Sequence, residues 1–140
     1  MKRALSILIS AVLIVSLSAC IPQKSESGTA TIVIATEEPS VYTVEFKEGD
    51  ITSGLLSALD ILEIEYDISG GFLNSVGDLK PTPPEYVYIY TSVLSDADTS
   101  AWATTMDYNG TTLKSVGVGA DELHVTDGAI IYIGTIVYDL

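Results

Sequence analysis

Apolar and polar positions alternate along most of this chain, and the period of the alternation names its elements. Thr31-Ile32-Val33-Ile34-Ala35 is a β-branched run. From Val41 to Phe46, the residues Tyr42, Val44 and Phe46 alternate with Val41, Thr43 and Glu45. Glu37-Glu38-Pro39-Ser40 between them carries a proline breaker, so the pair predicts an opening β-hairpin. The period then changes. From Ser53 to Leu62, the residues Leu55, Leu56, Leu59 and Leu62 fall on one helical face, with Thr52 or Asp50 placed to cap its start. Beyond it, Ile64 to Ile68 alternates, Gly70-Gly71 turns, and Phe72 to Val76 reads as a short strand. Pro81, Pro83 and Pro84 mark a loop. Tyr86, Tyr88 and Tyr90 then alternate with Val87 and Ile89, as a half-buried strand does, and Ser95 to Ser100 is a polar loop. Asn109-Gly110 is a strong hairpin signal, because both central residues of a type I′ turn need positive φ. That turn sets Tyr108 opposite Thr111 and Met106 opposite Leu113. Asp127-Gly128 leads into a terminal apolar strand region from Ala129 to Tyr138.

The order of hairpin, helix and further strands predicts an α+β fold. Its expected form is β-grasp-like, with the opening hairpin and a single helix packed on a mixed or antiparallel sheet. The 140 residues fit one domain, since domains cluster at roughly 100–150 residues. Eleven glycines, eight tyrosines and many Val, Ile and Thr residues agree with a β-rich chain.

The first residues carry an address rather than a fold. Met1-Lys2-Arg3 precedes an uncharged run from Ala4 to Ala19, the layout of a secretory signal. That run is somewhat short for a membrane-spanning helix, which needs about 20 residues. Leu17-Ser18-Ala19-Cys20 matches the bacterial lipoprotein signal, and Cys20 is the single cysteine of the chain. The match implies export, lipidation of Cys20 and cleavage before it. The expected organisation is therefore a signal peptide over 1–19, a flexible tether over 20–29 and a folded domain over 30–140. The protein is expected outside the cytoplasm, on the outer face of the cell membrane. The mature chain would keep four basic residues (Lys24, Lys47, Lys80, Lys114) against nineteen acidic ones, a charge of −15. An anionic bilayer repels such a domain, so the acyl chains alone would hold it there. The same charge excludes nucleic acid as a partner.

Four segments carry a family resemblance. They are the strand, glycine and Leu-rich run from Tyr42 to Leu62; Gly71-Phe72-Leu73-Asn74-Ser75-Val76-Gly77-Asp78-Leu79; Asn109-Gly110 with Leu113 and Gly117-Val118-Gly119-Ala120; and Leu123-His124-Val125-Thr126-Asp127-Gly128. Together they resemble the domain of unknown function 4430 family. Its members include small domains of bacterial surface proteins and the C-terminal β-domain of the transcobalamin and intrinsic-factor group. The resemblance implies a non-catalytic domain that binds a ligand or partner. A corrinoid is one ligand it implies, although transcobalamins grip theirs against a helical barrel for which this chain has no room. If a ligand binds, its site is expected near Gly71, Phe72, Gly117 and Gly119, where glycine lets backbone approach a ligand closely and Phe72 adds an apolar face; in the resemblance these segments lie nearest the corrinoid-facing side.

Catalytic chemistry has little to build on. His124 is the single histidine, in an expected short strand where a structural role is the ordinary one, and no G-x-S-x-G elbow occurs. Asp96, Asp98, Ser100 and Asp107 have calcium-loop spacing, but Ala101 stands where such a loop needs glycine. A solvated loop with an Asx turn is the expectation there, and no metal site. Glu63, Glu65 and Asp67 would share one face of a strand, ordinarily a solvated one. The reading is thus a surface lipoprotein with a binding domain and no enzyme activity. Its partners are the membrane, through Cys20, and a small molecule, protein or glycan of unknown identity. A cell-surface interaction module for protein or glycan is the alternative, and a carboxylate-dependent hydrolase the more distant one.

Overall fold

Alternation of β-branched and aromatic residues gives each strand one face for a core and one for solvent. The computed structural model describes residues 28–46 and 54–138. The signal segment, Cys20, the tether as far as Ser27, and the capping residues Asp50 and Thr52 lie outside the described residues.

The opening hairpin is β1 (Gly28–Ile34) with β2 (Ser40–Phe46), antiparallel and in register from Gly28↔Phe46 to Ile34↔Ser40. Gly28 and Thr29 were expected in the tether, but both already belong to β1. Thr29 N–H donates to Asp127 Oδ1 at 3.0 Å and its carbonyl accepts from Gly128 N–H at 2.8 Å. Those two bonds, with the pairing of Gly28 and Thr29 to β2, start the strand early. Helix α1 (Leu55–Ile61) follows; Leu55 and Leu59 enter the core as the leucine spacing predicts, Ala58 joins them, and Leu56 and Leu62 are only half-buried against it. Gly54 is its N-cap, with no side-chain cap bond.

Two strands then form a hairpin of their own, β3 (Tyr66–Ser69) with β4 (Phe72–Val76). The remaining strands are β5 (Glu85–Thr91), β6 (Thr105–Tyr108), β7 (Thr111–Ser115) and β8 (Ile130–Val137). The main sheet runs β2-β1-β8-β5-β7-β6. The first and last strands pair in parallel, from Thr31↔Ile130 to Ile34↔Ile133, and the other neighbours are antiparallel. The fold is α+β with a mixed sheet, as the sequence predicts. The Asn109-Gly110 turn has φ of 47° and 82°, with Tyr108↔Thr111 and Met106↔Leu113 opposed as expected.

One face of the sheet meets α1 and the β3–β4 hairpin. Ala30, Ile32, Ile34, Val44, Ile89, Ile131 and Ile133 pack there with Leu55, Leu59, Leu73, Val76 and Leu123. The opposite face carries tyrosines. Tyr90, Tyr132 and Tyr108 form a chain of rings, with centroids 6.4 Å apart for Tyr90–Tyr132 and 5.8 Å for Tyr108–Tyr132. Tyr108 is three strand spacings from Tyr132 in sheet order, about 14 Å if the sheet were flat. The β6–β7 hairpin therefore curls over this face. The short β5–β7 ladder, Tyr90↔Ser115 and Thr91↔Lys114, agrees. Leu113, Ser115 and Val33 are fully buried outside the main core. By strand register they share the tyrosine face, so the chain has a second, smaller core.

Candidate functional site

Loops at one end of the fold are gathered by the connection between β7 and β8. Ala97 and Val116 form an antiparallel bridge, and Gly117 N–H donates to the Asp96 carbonyl at 2.8 Å. Ala120 N–H donates to the Gly71 carbonyl at 2.8 Å, and Leu55 N–H to the Leu123 carbonyl at 3.0 Å. The connection thus ties the β3–β4 turn, the β5–β6 loop and the start of α1 to one strip of backbone.

The glycines expected to approach a ligand instead approach the chain itself. A Cβ on Gly119 would lie 3.2 Å from the Gly71 carbonyl oxygen and 2.6 Å from Asp121 Oδ1. A Cβ on Gly117 would lie 2.9 Å from Asp98 Cα. Gly71 and Gly119 are brought together, whereas Gly117 packs elsewhere on the same connection, against residues 97–98. Close backbone packing accounts for Gly117 and Gly119, and a turn with φ of 58° at Gly70 and 81° at Gly71 accounts for that pair. Phe72, the fourth expected site residue, leaves the turn with 77% of its surface exposed.

The face around Phe72 is organised. Strand parity directs Asp67, Ser69, Phe72 and Asn74 outward while Leu73 and Val76 are buried. Register steps from Asp67↔Ser75 to Ile68↔Leu73, so Asn74 is the extra residue of a β-bulge. Its amide donates to Asp67 Oδ2 at 2.9 Å and to Ser69 Oγ at 3.0 Å. Ser69 is the cross-strand partner of Phe72. One ring therefore stands beside three hydrogen-bonded polar side chains on a fixed surface.

A second constellation joins Asp96 to His124. Asp96 closes the 3-10 turn Leu94–Asp96, and its side chain is 4% exposed against 58% for the imidazole. Asp96 Oδ2 accepts His124 backbone N–H at 2.7 Å, and Oδ1 lies 2.9 Å from His124 Nδ1. The polar loop was expected to leave Asp96 in solvent; burial against His124 is the correction. His124 lies on an isolated bridge to Gly54, not in a strand. Fixing Nδ1 in this way leaves Nε2 as the ring nitrogen free of the clamp.

The calcium spacing is dispersed by the same geometry. Asp96 serves His124, Asp98 Oδ1 accepts Ser100 N–H at 2.8 Å in the expected Asx turn, and Asp107 Oδ1 accepts the Thr112 hydroxyl at 2.9 Å. The Ser100 backbone N–H, then its side chain, hold the Asp98 carboxyl below its ordinary range. No group of three or more metal-ligating side chains occurs among the described residues. One imidazole with its carboxylate already committed does not make a closed metal site.

Glu63, Glu65 and Asp67 do not share a strand face, because β3 begins only at Tyr66. Glu63 is the left-handed residue that ends α1, with φ of 57°. Asp60, Glu63, Ile64, Glu65 and Tyr66 line an open depression of about 530 Å³. Burial first, then the Asp60 charge and hydrogen bond, hold the Tyr66 phenol above its ordinary 10.0.

Sequence reading did not find the bulged Asn74 network or the Asp96–His124 clamp. The second joins residues 28 positions apart, and a lone histidine carries no local signal for a distant carboxylate. The first had one usable signal, Asp67, Ser69 and Asn74 on either side of a Gly-Gly turn.

No family model matches the chain, and no curated protein matches it either. Among solved structures it is similar to a candidate metal binding protein from Ruminococcus gnavus ATCC 29149, determined by crystallography at 1.30 Å. The two share 12% identity at a TM-score of 0.52, over 82% of this chain and 100% of the other. At that identity the likeness is one of fold. No helix among the described residues is long and apolar enough to cross a membrane.

Proposed function

We propose that this protein is a bacterial surface lipoprotein, anchored through Cys20, whose β-grasp-like domain is a non-catalytic binding module of the transcobalamin C-terminal type. Support for the anchor is the lipoprotein motif Leu17-Ser18-Ala19-Cys20. Support for the β-grasp reading is the parallel pairing of β1 with β8 inside the sheet, with α1 between them in sequence. The observation that carries the binding role is the exposure of large apolar rings on anchored backbone. Phe72 is 77% exposed beside a bonded turn and Trp102 is 87% exposed, its backbone N–H bonded to Ser100 Oγ at 3.2 Å. A rigid ring presented to water loses little conformational entropy on contact, which is what an interface anchor needs.

The ligand class follows from charge. At −13 overall, the chain selects against anionic partners. A corrinoid remains the small-molecule version of this reading. With Gly117 and Gly119 packed on their own chain, Phe72 would be its principal contact. The neighbour's description as metal binding is not carried over, because at 12% identity the likeness is one of fold.

Replacing Cys20 with Ser tests the anchor. The expected outcome is a chain released from the membrane fraction or left unprocessed. Normal processing with full membrane retention would overturn the lipoprotein reading.

A further inference from the structure

The exposed face of the β3–β4 hairpin sets an aromatic ring beside a hydrogen-bonded polar network. Phe72 offers an unobstructed ring. Asn74, displaced by the bulge, cross-links Asp67 and Ser69 at 2.9 Å and 3.0 Å, so three polar side chains share a network before any ligand arrives. Such preorganisation lowers the ordering cost of binding. The turn beneath is held by the bond from Ala120 N–H to the Gly71 carbonyl.

An aromatic face flanked by a carboxylate, an amide and a hydroxyl matches a molecule with one apolar face and an edge of hydrogen-bonding groups. A pyranose ring has that shape, with axial C–H groups for the ring face and hydroxyls for the polar edge. Charge then selects among sugars. Asp67 is the one charged side chain on the hairpin, and residues 66–76 contain no lysine or arginine in a chain of net charge −13. Anionic sugars are repelled. A protonated amine is attracted by Asp67 and, through cation–π contact, by Phe72.

We propose that the Asp67–Ser69–Phe72–Asn74 face binds an amino-sugar glycan bearing free amines. A sugar ring stacks on Phe72, its ammonium pairs with Asp67, and its hydroxyls meet Asn74 and Ser69. The assignment rests on the binding-module reading and names the ligand class and the site.

The test uses the purified full-length chain in detergent, titrated calorimetrically with a soluble glucosamine hexamer and with its fully N-acetylated form at about pH 6. The expected result is that the free-amine hexamer binds and the acetylated hexamer binds at least ~10-fold more weakly, having lost the charge pair. Phe72→Ala and Asp67→Asn each weaken the free-amine hexamer by at least ~10-fold, the range of a lost anchor contact. Both side chains project to solvent, and an unchanged thermal transition in each variant verifies the fold. Equal binding of the two hexamers, binding that survives Phe72→Ala, or no binding at millimolar hexamer would each overturn the assignment. Such a failure with Cys20-dependent membrane anchoring intact removes the glycan site alone. Loss of anchoring dependence removes the lipoprotein reading and leaves the glycan result standing.

Discussion

At the scale of single residues, two polar groups do more than composition suggests. Asp96 is a buried carboxylate in an acidic chain, and it satisfies both the backbone and the ring of His124. Removing the carboxylate leaves those donors without their partner, so Asp96→Ala is expected to cost about 2–4 kcal/mol. His124→Ala keeps the backbone bond and is expected to cost only about 1 kcal/mol. Urea midpoints of the two variants measure the difference; equal losses would mean that the backbone bond contributes nothing. Tyr66 gives a pH-dependent counterpart. Its phenol titrates above its ordinary value, from burial and from Asp60. A raised folded-state value means that this stabilisation is complete below about pH 10 and is lost as pH climbs through the folded value. Asp60→Asn removes the charge, so the titration midpoint of Tyr66, followed by ring-labelled NMR, is expected to move down toward 10.0. An unmoved midpoint would leave burial as the whole cause.

Among the elements, two positions with left-handed backbone act in opposite directions. Helix α1 ends in paired bonds, Ile64 N–H to the Leu59 carbonyl at 3.0 Å and Glu63 N–H to the Asp60 carbonyl at 3.1 Å. That is a Schellman motif with Glu63 where glycine is usual. Glu63→Gly is expected to stabilise the domain by about 0.5–1 kcal/mol, with relieved strain outweighing the added chain entropy. The Asn109-Gly110 turn holds glycine at φ of 82°. There Gly110→Val is expected to lower stability by about 1 kcal/mol or more, and thermal melts read both variants. The β6–β7 turn was legible in the sequence, register included, because a two-residue turn fixes its own pairing. The start of β1 was not. Gly28 and Thr29 look like tether, and they become strand because β2 pairs with both and because Asp127 and Gly128, some hundred positions away, bond to Thr29. The bulge at Asn74 escaped notice for a related reason: alternation counts residues on one strand, and a bulge is a property of two.

For the molecule as a whole, a net charge of −13 on a 140-residue chain opposes compaction by self-repulsion. Raising salt from about 20 to about 500 mM screens that repulsion, so the thermal midpoint is expected to rise. A falling midpoint would point to charge pairs that stabilise the fold more than repulsion weakens it. The sequence by itself determined the α+β class, the opening hairpin, the leucine face of α1 and the polarity of the surface. All of these follow from local periodicity, turn chemistry and counting. It also placed Phe72 beside a glycine turn, the part of the candidate site that needs no distant partner. Only tertiary structure decided that Gly71 and Gly119 would pack on each other, that Asp96 would be buried under His124, and that the β6–β7 hairpin would curl over the tyrosine face. The physical reason is common to all three. A glycine, a carboxylate or a ring has no fate of its own until the chain brings its partner from tens of residues away. In this fold the connection between β7 and β8 does much of that gathering.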